Sequence, residues 1–126
     1  MMLILMIIIV YYFSMIIFYM FIIIIIFLFI CNFAYNMDVV SRLGGDEFAV
    51  FVGRDISPAE ADGMLRRFMT VFHQNFDDKY PDQKLGTSIG ASAVALSDTY
   101  ELLYHNADKA LYEAKWNGKD QFRIRN

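Results

Sequence analysis

Residues 1–37 form an almost unbroken apolar run of Ile, Phe, Met, Leu and Tyr, whereas from residue 38 onward apolar and polar positions recur in short, periodic blocks. The run is long enough to cross a hydrocarbon layer of about 30 Å, so the direct expectation for 1–36 is one apolar, membrane-spanning helix. The start of the run has no basic region, and no short apolar centre or small-residue cleavage site follows, so it is expected to stay attached rather than leave as a secretory signal. A second reading stays open. Residues 21–30 are close to low complexity, and the residue types of the whole segment are those of A/T-rich codons, as in a translated artefact upstream of a broken gene.

Past the run, 37–43 and 47–53 are two β-prone stretches separated by a glycine pair, the pattern of a hairpin. Ser57-Pro58-Ala59-Glu60 then supplies a capping residue, a proline for the first helical position and a glutamate to close a capping box. The helix predicted after it buries Ala61, Met64, Leu65, Phe68, Met69, Phe72 and Phe76, which recur at intervals of three and four, with Gly63 a mild weakness. A polar loop over 79–83 with Pro81 leads to 85–94, a central strand of small and β-branched residues. Gly86 and Gly90 in it mark the close approach of a helix or a ligand. A second helix is expected from a cap at Asp98, with Leu102, Leu103, Ala107, Ala110, Leu111 and Ala114 inside and Asn117-Gly118 as its stop. Residues 121–125 add an edge strand. Hairpin, helix, strand, helix, strand gives an α+β domain over 37–126, its helices packed on one sheet and preceded by the apolar helix of 1–36.

Charge sharpens the division. All 11 basic and 14 acidic side chains lie at or beyond Asp38, and the net charge of −3 argues against nonspecific nucleic-acid binding. Arg42 and Arg54 follow the apolar run and no basic residue precedes it, which favours a cytoplasmic side for the domain if the run sits in the inner membrane. A lone Cys31 excludes a disulfide framework, and the isolated His73 and His105 read as helix-surface residues rather than metal ligands.

The chemistry concentrates at 44–48. Gly44 and Gly45 would let a phosphate approach the backbone closely, and Asp46 would face a metal ion from a turn held between two strands. Neighbours on a strand face opposite sides, so only one of Asp46 and Glu47 is expected to point at the metal.

Arg42-Leu43-Gly44-Gly45-Asp46-Glu47-Phe48 resembles the defining motif of the GGDEF family, the diguanylate cyclases that condense two GTP into cyclic di-GMP. Ser88-Ile89-Gly90 is similar to the family's SIG strand. The string Ala107-Asp108-Lys109-Ala110-Leu111-Tyr112-Glu113-Ala114-Lys115, followed by Asn117-Gly118-Lys119, is similar to the end of its last long helix. The resemblance implies a nucleotidyl-cyclase-like, ferredoxin-like sheet. It also implies Mg²⁺ as cofactor, GTP as substrate and a homodimer that brings two half-sites together. It makes Asp46 the metal-binding residue and base, with Glu47 the neighbouring catalytic carboxylate. Gly44 and Gly45 become the backbone against the nucleotide, and Lys115 and Lys119 the phosphate contacts. Lys119 stands where the family has arginine, so a bidentate contact becomes a point charge. Asp38 fits the acid of the family's inhibitory product site, but Tyr35 stands in place of that site's arginine.

The family's domain begins with a strand, two helices and a strand that carry a metal-binding Asp and an Asn and Asp for the guanine. Here that region is the apolar run, with no Asp, Glu, Lys or Arg and with Asn32 and Asn36 as its only amides. The resemblance therefore covers a truncated domain and half an active site, and predicts that this chain does not turn GTP over alone. Three function classes follow: a membrane-anchored cyclase, a noncatalytic binding or dimerisation module, and a gene-fragment remnant with an open sheet edge.

Overall fold

The structure is a computed structural model that describes residues 2–6, 16–34, 38–83, 85–95 and 97–125. A five-stranded sheet has the order β2-β3-β1-β4-β5. Its members are β1 (Met2–Met6), β2 (Val39–Gly44), β3 (Glu47–Phe51), β4 (Ser88–Ser92) and β5 (Phe122–Arg125). The helices are α1 (Ile16–Phe33), α2 (Pro58–Phe76) and α3 (Tyr100–Trp116), with a 3₁₀ turn at Pro81–Gln83. β1 pairs antiparallel with β3 on one side and with β4 on the other. The connection from β1 through α1 to β2 leaves β3 between its strands, and the connection from β3 through α2 to β4 leaves β1 between its own. This is the split βαβ arrangement of a ferredoxin-like sheet, with β5 added parallel to β4 by way of α3.

The continuous membrane-spanning helix expected over 1–36 is not what the chain forms. Residues 2–6 are the central strand of the sheet, and among the described residues no helix is long and apolar enough to cross a membrane. α1 instead lays Ile22, Ile23, Ile26 and Ile30 into the core and leaves Met20, Ile24 and Leu28 outside. The strand and helix that the sequence appeared to lack before the hairpin are thus drawn from the apolar run itself. A run without periodicity does not distinguish a buried strand from a helix, because both then read as uniformly apolar.

One face of the sheet carries α1 and α2. Phe48 and Val50 of β3 and Ile89 and Ala91 of β4 point into this core, where they meet Leu65, Phe68, Phe72 and Phe76 of α2. The aromatic side chains dominate: Phe29 of α1 lies 5.5 Å from the rings of both Phe68 and Phe76, and Phe72 lies 4.6 Å from Phe76. α2 begins as its sequence predicts. The Ser57 side chain accepts from the Glu60 backbone N–H at 3.3 Å, and Glu60 accepts from the Ser57 N–H at 2.7 Å, with Pro58 at the first helical position. The Ser57 backbone N–H and then its hydroxyl, both donating to the Glu60 carboxylate, hold it below its ordinary range.

The other face carries α3. All five residues of β4 are buried, and the helix seats on Gly90 so closely that a Cβ there would lie 2.1 Å from the Ala107 carbonyl oxygen. Two details differ from the sequence expectation. The cap of α3 is Thr99, whose hydroxyl accepts from the Leu102 N–H at 3.3 Å, while Asp98 accepts from the Ala95 N–H in the preceding turn. Leu102 faces outward at 45% exposure, because the seat on Gly90 turns Leu103, Ala107, Ala110, Leu111 and Ala114 inward.

A clasp closes the sheet on the α2 side. Asp120 accepts from the Thr87 N–H at 3.0 Å, and His73 Nε2 lies 3.0 Å from the same carboxylate, while His73 Nδ1 lies 3.1 Å from Asp77. His73 is therefore half-buried between two acids rather than a free surface residue. Burial lowers its pKa, but the hydrogen bond to Asp77 and the charges of Asp120 and Asp77 outweigh it, so the net shift is above 6.5. A histidine with a raised folded pKa stabilises the fold fully below its unfolded value and loses that contribution as pH rises through the folded value. The chain is accordingly expected to lose stability as pH rises from the ordinary imidazole value of 6.5 through the raised folded value. Urea unfolding of His73→Gln over the same interval should show a flatter dependence.

Candidate functional site

The Gly-Gly-Asp-Glu stretch forms the tight turn of the β2-β3 hairpin, with Gly44 paired to Glu47 and a register irregularity between Arg42 and Gly44. Gly45 has φ +52, a backbone region that side chains avoid. A Cβ built at either glycine meets nothing within 4 Å, so the space above the turn is open. The Arg42 Nε donates to the Gly45 carbonyl at 3.0 Å, and the motif's first residue thereby fixes the turn from the side. Both glycines are exposed, while Asp46 and Glu47 are half-buried.

At this end of the sheet several elements converge. Glu47 stands opposite Met6 of β1, and Met6 stands opposite Ser88, the first residue of β4. α3 runs back along the sheet and delivers its last turn to the same end, where the Gln121 carbonyl accepts from the Ile89 N–H at 3.0 Å. Lys115 in that last turn and Lys119 beyond it thus share the hairpin's end of the fold. The helical spacing of four expected to align them does not apply, because α3 stops at Trp116. Gly118, Lys119 and Asp120 all follow with positive φ, and the Lys119 N–H turns back onto the Ala114 carbonyl at 3.1 Å. Lys119 is exposed on that turn, and Lys115 is half-buried.

Asp38 lies at the opposite end of β2. Its side chain is 3% exposed, accepts from the Gly53 N–H at 3.2 Å and lies 3.9 Å from Arg54 Nε. The carboxylate is directed into the closure of the hairpin and not toward solvent.

Sequence reasoning overlooked an electrostatic link between the hairpin and α3. Burial, followed by the charges of Asp108 and Glu47 and by Tyr100, pushes the Tyr104 phenol above its ordinary 10.0. The charge of Glu47 on the hairpin is therefore felt by the Tyr104 phenol on α3. The spacing of four between Tyr104 and Asp108 is visible in the sequence, but nothing local signals their approach to a residue some 60 positions earlier.

A split βαβ sheet with a glycine-carboxylate hairpin at one end defines an α+β domain whose motif residues sit at one sheet edge. The family model described as the diguanylate cyclase GGDEF domain matches residues 23–121, and this chain belongs to the GGDEF family. It is 33% identical over 87 residues to the diguanylate cyclase DgcS of Shewanella oneidensis, covering 69% of this chain. It is 34% identical over 90 residues to the signaling protein YkoW of Bacillus subtilis, covering 67% of this chain. The matched regions span only 28% and 11% of those two proteins. Among solved structures, the isolated GGDEF domain of TpbB (YfiN) from Pseudomonas aeruginosa superposes with a TM-score of 0.73 at 22% identity. That alignment covers 99% of this chain and 76% of that one, a likeness of fold.

Diguanylate cyclases of this family usually use Mg²⁺. Among the described residues no three His, Cys, Asp or Glu side chains are grouped to hold a metal ion, and residues 1–37 contribute no carboxylate to complete a set around Asp46. Mg²⁺ keeps much of its own hydration and demands near-octahedral oxygen ligation, so this donor set does not fit a two-metal centre.

Proposed function

We propose that this chain is a GGDEF-family protein that takes the phosphates of GTP at the Gly44-Gly45 turn without converting GTP to cyclic di-GMP on its own. The observation that carries this reading is the pairing of an open hairpin with a strand and helix that have no charged side chain. The exposed backbone of the turn and the ammonium groups of Lys115 and Lys119 offer electrostatic contacts to phosphate. Asp46 and Glu47 supply carboxylates, but a 3′-hydroxyl attacking an α-phosphorus needs its charge neutralised, and the chain lacks the second acidic element that would do so. The noncatalytic module is therefore favoured over the cyclase. The central position of β1 favours it over the remnant, because the sheet does not end at an orphaned hairpin.

Incubation of the purified chain with GTP and Mg²⁺, followed by chromatography for cyclic di-GMP, is expected to show no product, with Asp46→Ala as control. Product that forms with the natural chain and disappears in the variant would overturn this reading. It would imply a homodimer, since two GTP must be brought together.

A further inference from the structure

The turn that carries Lys119 is held in a backbone conformation that side chains resist. Gly118, Lys119 and Asp120 have φ of +109, +63 and +46 in succession. Glycine takes the first freely and aspartate tolerates the third, but a lysine in the left-handed region brings its Cβ against a carbonyl oxygen and persists only where its surroundings dictate it. Here they do so from several sides. The Lys119 N–H donates to the Ala114 carbonyl at 3.1 Å, and the Gln121 side-chain amide donates to the Lys119 carbonyl at 3.3 Å. The Asp120 N–H donates to the hydroxyl of the buried Ser88 at 3.1 Å. The Asp120 carboxylate accepts from the Thr87 N–H at 3.0 Å and faces His73 Nε2 at 3.0 Å, while Asp77 holds the other ring nitrogen. The fit is close, since a Cβ at Gly86 would come within 3.3 Å of that carboxylate. Ser88 stands opposite Met6, and Met6 opposite Glu47, so the anchorage lies on the row of residues that leads to the hairpin.

We propose that Asp120, backed by His73, is a positioning residue for phosphate. It fixes the turn that presents Lys119 at the hairpin's end of the fold and does not touch the nucleotide itself. This rests on the phosphates of GTP being taken at that end, as proposed above. Charge alone would give Asp120 the opposite effect. It is an anion beside a site for anions, so by Coulomb's law its removal strengthens phosphate binding, whereas loss of the turn weakens it. Asparagine separates the two contributions. Its carbonyl oxygen accepts from the Thr87 N–H and its amide faces His73 Nε2, so the turn is kept while the charge is lost.

Equilibrium dialysis of the full chain against GTP tests it. Asp120→Ala should weaken binding by about threefold to fivefold, as Lys119→Ala does, since one exposed ionic contact is worth no more. The double variant should be no weaker than Lys119→Ala alone, because nothing is left to position. Asp120→Asn should bind at least as tightly as the natural chain, and this arm decides the matter if Asp120→Ala fails to fold. An Asp120→Ala variant that binds GTP as tightly as the natural chain would overturn the positioning role alone, as would weaker binding by Asp120→Asn or losses that simply add in the double variant. A natural chain that takes up no GTP would overturn the proposed function, and the positioning role with it. Amide hydrogen exchange needs no ligand: Asp120→Ala should lose protection at the Lys119 N–H, and unchanged protection there would overturn the positioning role even where GTP binds.

Discussion

Replacing Gly90 by alanine, and more so by valine, is expected to abolish the folded state or leave it barely populated. The added Cβ would sit 2.1 Å from the Ala107 carbonyl oxygen and 2.3 Å from the Leu111 nitrogen. Both are backbone atoms in the middle of α3, so no rotamer change relieves the contact. Either the helix lifts as a body from β4 and β5 or the strand shifts within the sheet. Lifting α3 would open the small cluster of Leu103, Ala107 and Leu111. It would also break the ion pair between Arg125 and Glu113. Overpacking of an ordinary core costs about 1–3 kcal/mol, and a clash with a rigid backbone belongs at or above the top of that range. A domain of this size has a total stability of roughly 5–15 kcal/mol. Urea denaturation followed by far-UV circular dichroism should show a cooperative transition for the natural chain and a collapsed or missing one for Gly90→Val. A Gly90→Ala variant as stable as the natural chain would show that α3 is not seated on β4 as described. A natural chain without any cooperative transition would favour the remnant reading over the module.

Phe72→Ala is expected to be the next most damaging change. Phe72 is 0% exposed, and its ring lies 6.1 Å from Phe29, 6.2 Å from Phe68 and 4.6 Å from Phe76. Truncation removes one of the ring contacts between α2 and α1 and leaves a cavity that three neighbouring rings, each held by others, cannot close. Such substitutions cost about 3–5 kcal/mol. The measurement is the shift of the urea midpoint, with Met69→Ala for comparison, since Met69 is only partly buried against the same core. If Phe72→Ala cost no more than Met69→Ala, the aromatic cluster would not be the centre of the fold.

The helices and strands from the hairpin onward were legible because each carries its own local signal, although the cap of α3 and the outward position of Leu102 were not. Ser57, Pro58 and Glu60 announce the start of α2, and the stripe of Leu65, Phe68, Phe72 and Phe76 records which side is buried. The apolar run was misread because its signal is one of composition only: a central strand and a sheet-packed helix both appeared as part of a single long helix. The site divides in the same way. Gly44, Gly45, Asp46 and Glu47 fall on one turn as the motif requires. The influence of Glu47 on the Tyr104 phenol arises only through the path of α3 across the sheet, which no spacing in the sequence encodes. The tie of Asp120 to both His73 and Thr87 was equally hidden, since it joins positions far apart in the chain.

The placement of β1 has a consequence for how the molecule is made. Met2 pairs with Phe51 on one side and with Ser92 on the other, so the first strand along the chain must wait for two partners synthesised much later. Long-range pairings of this kind raise contact order and slow folding. Until β4 has left the ribosome, an apolar strand and helix remain without their sheet, the kind of exposed surface through which unfinished chains aggregate.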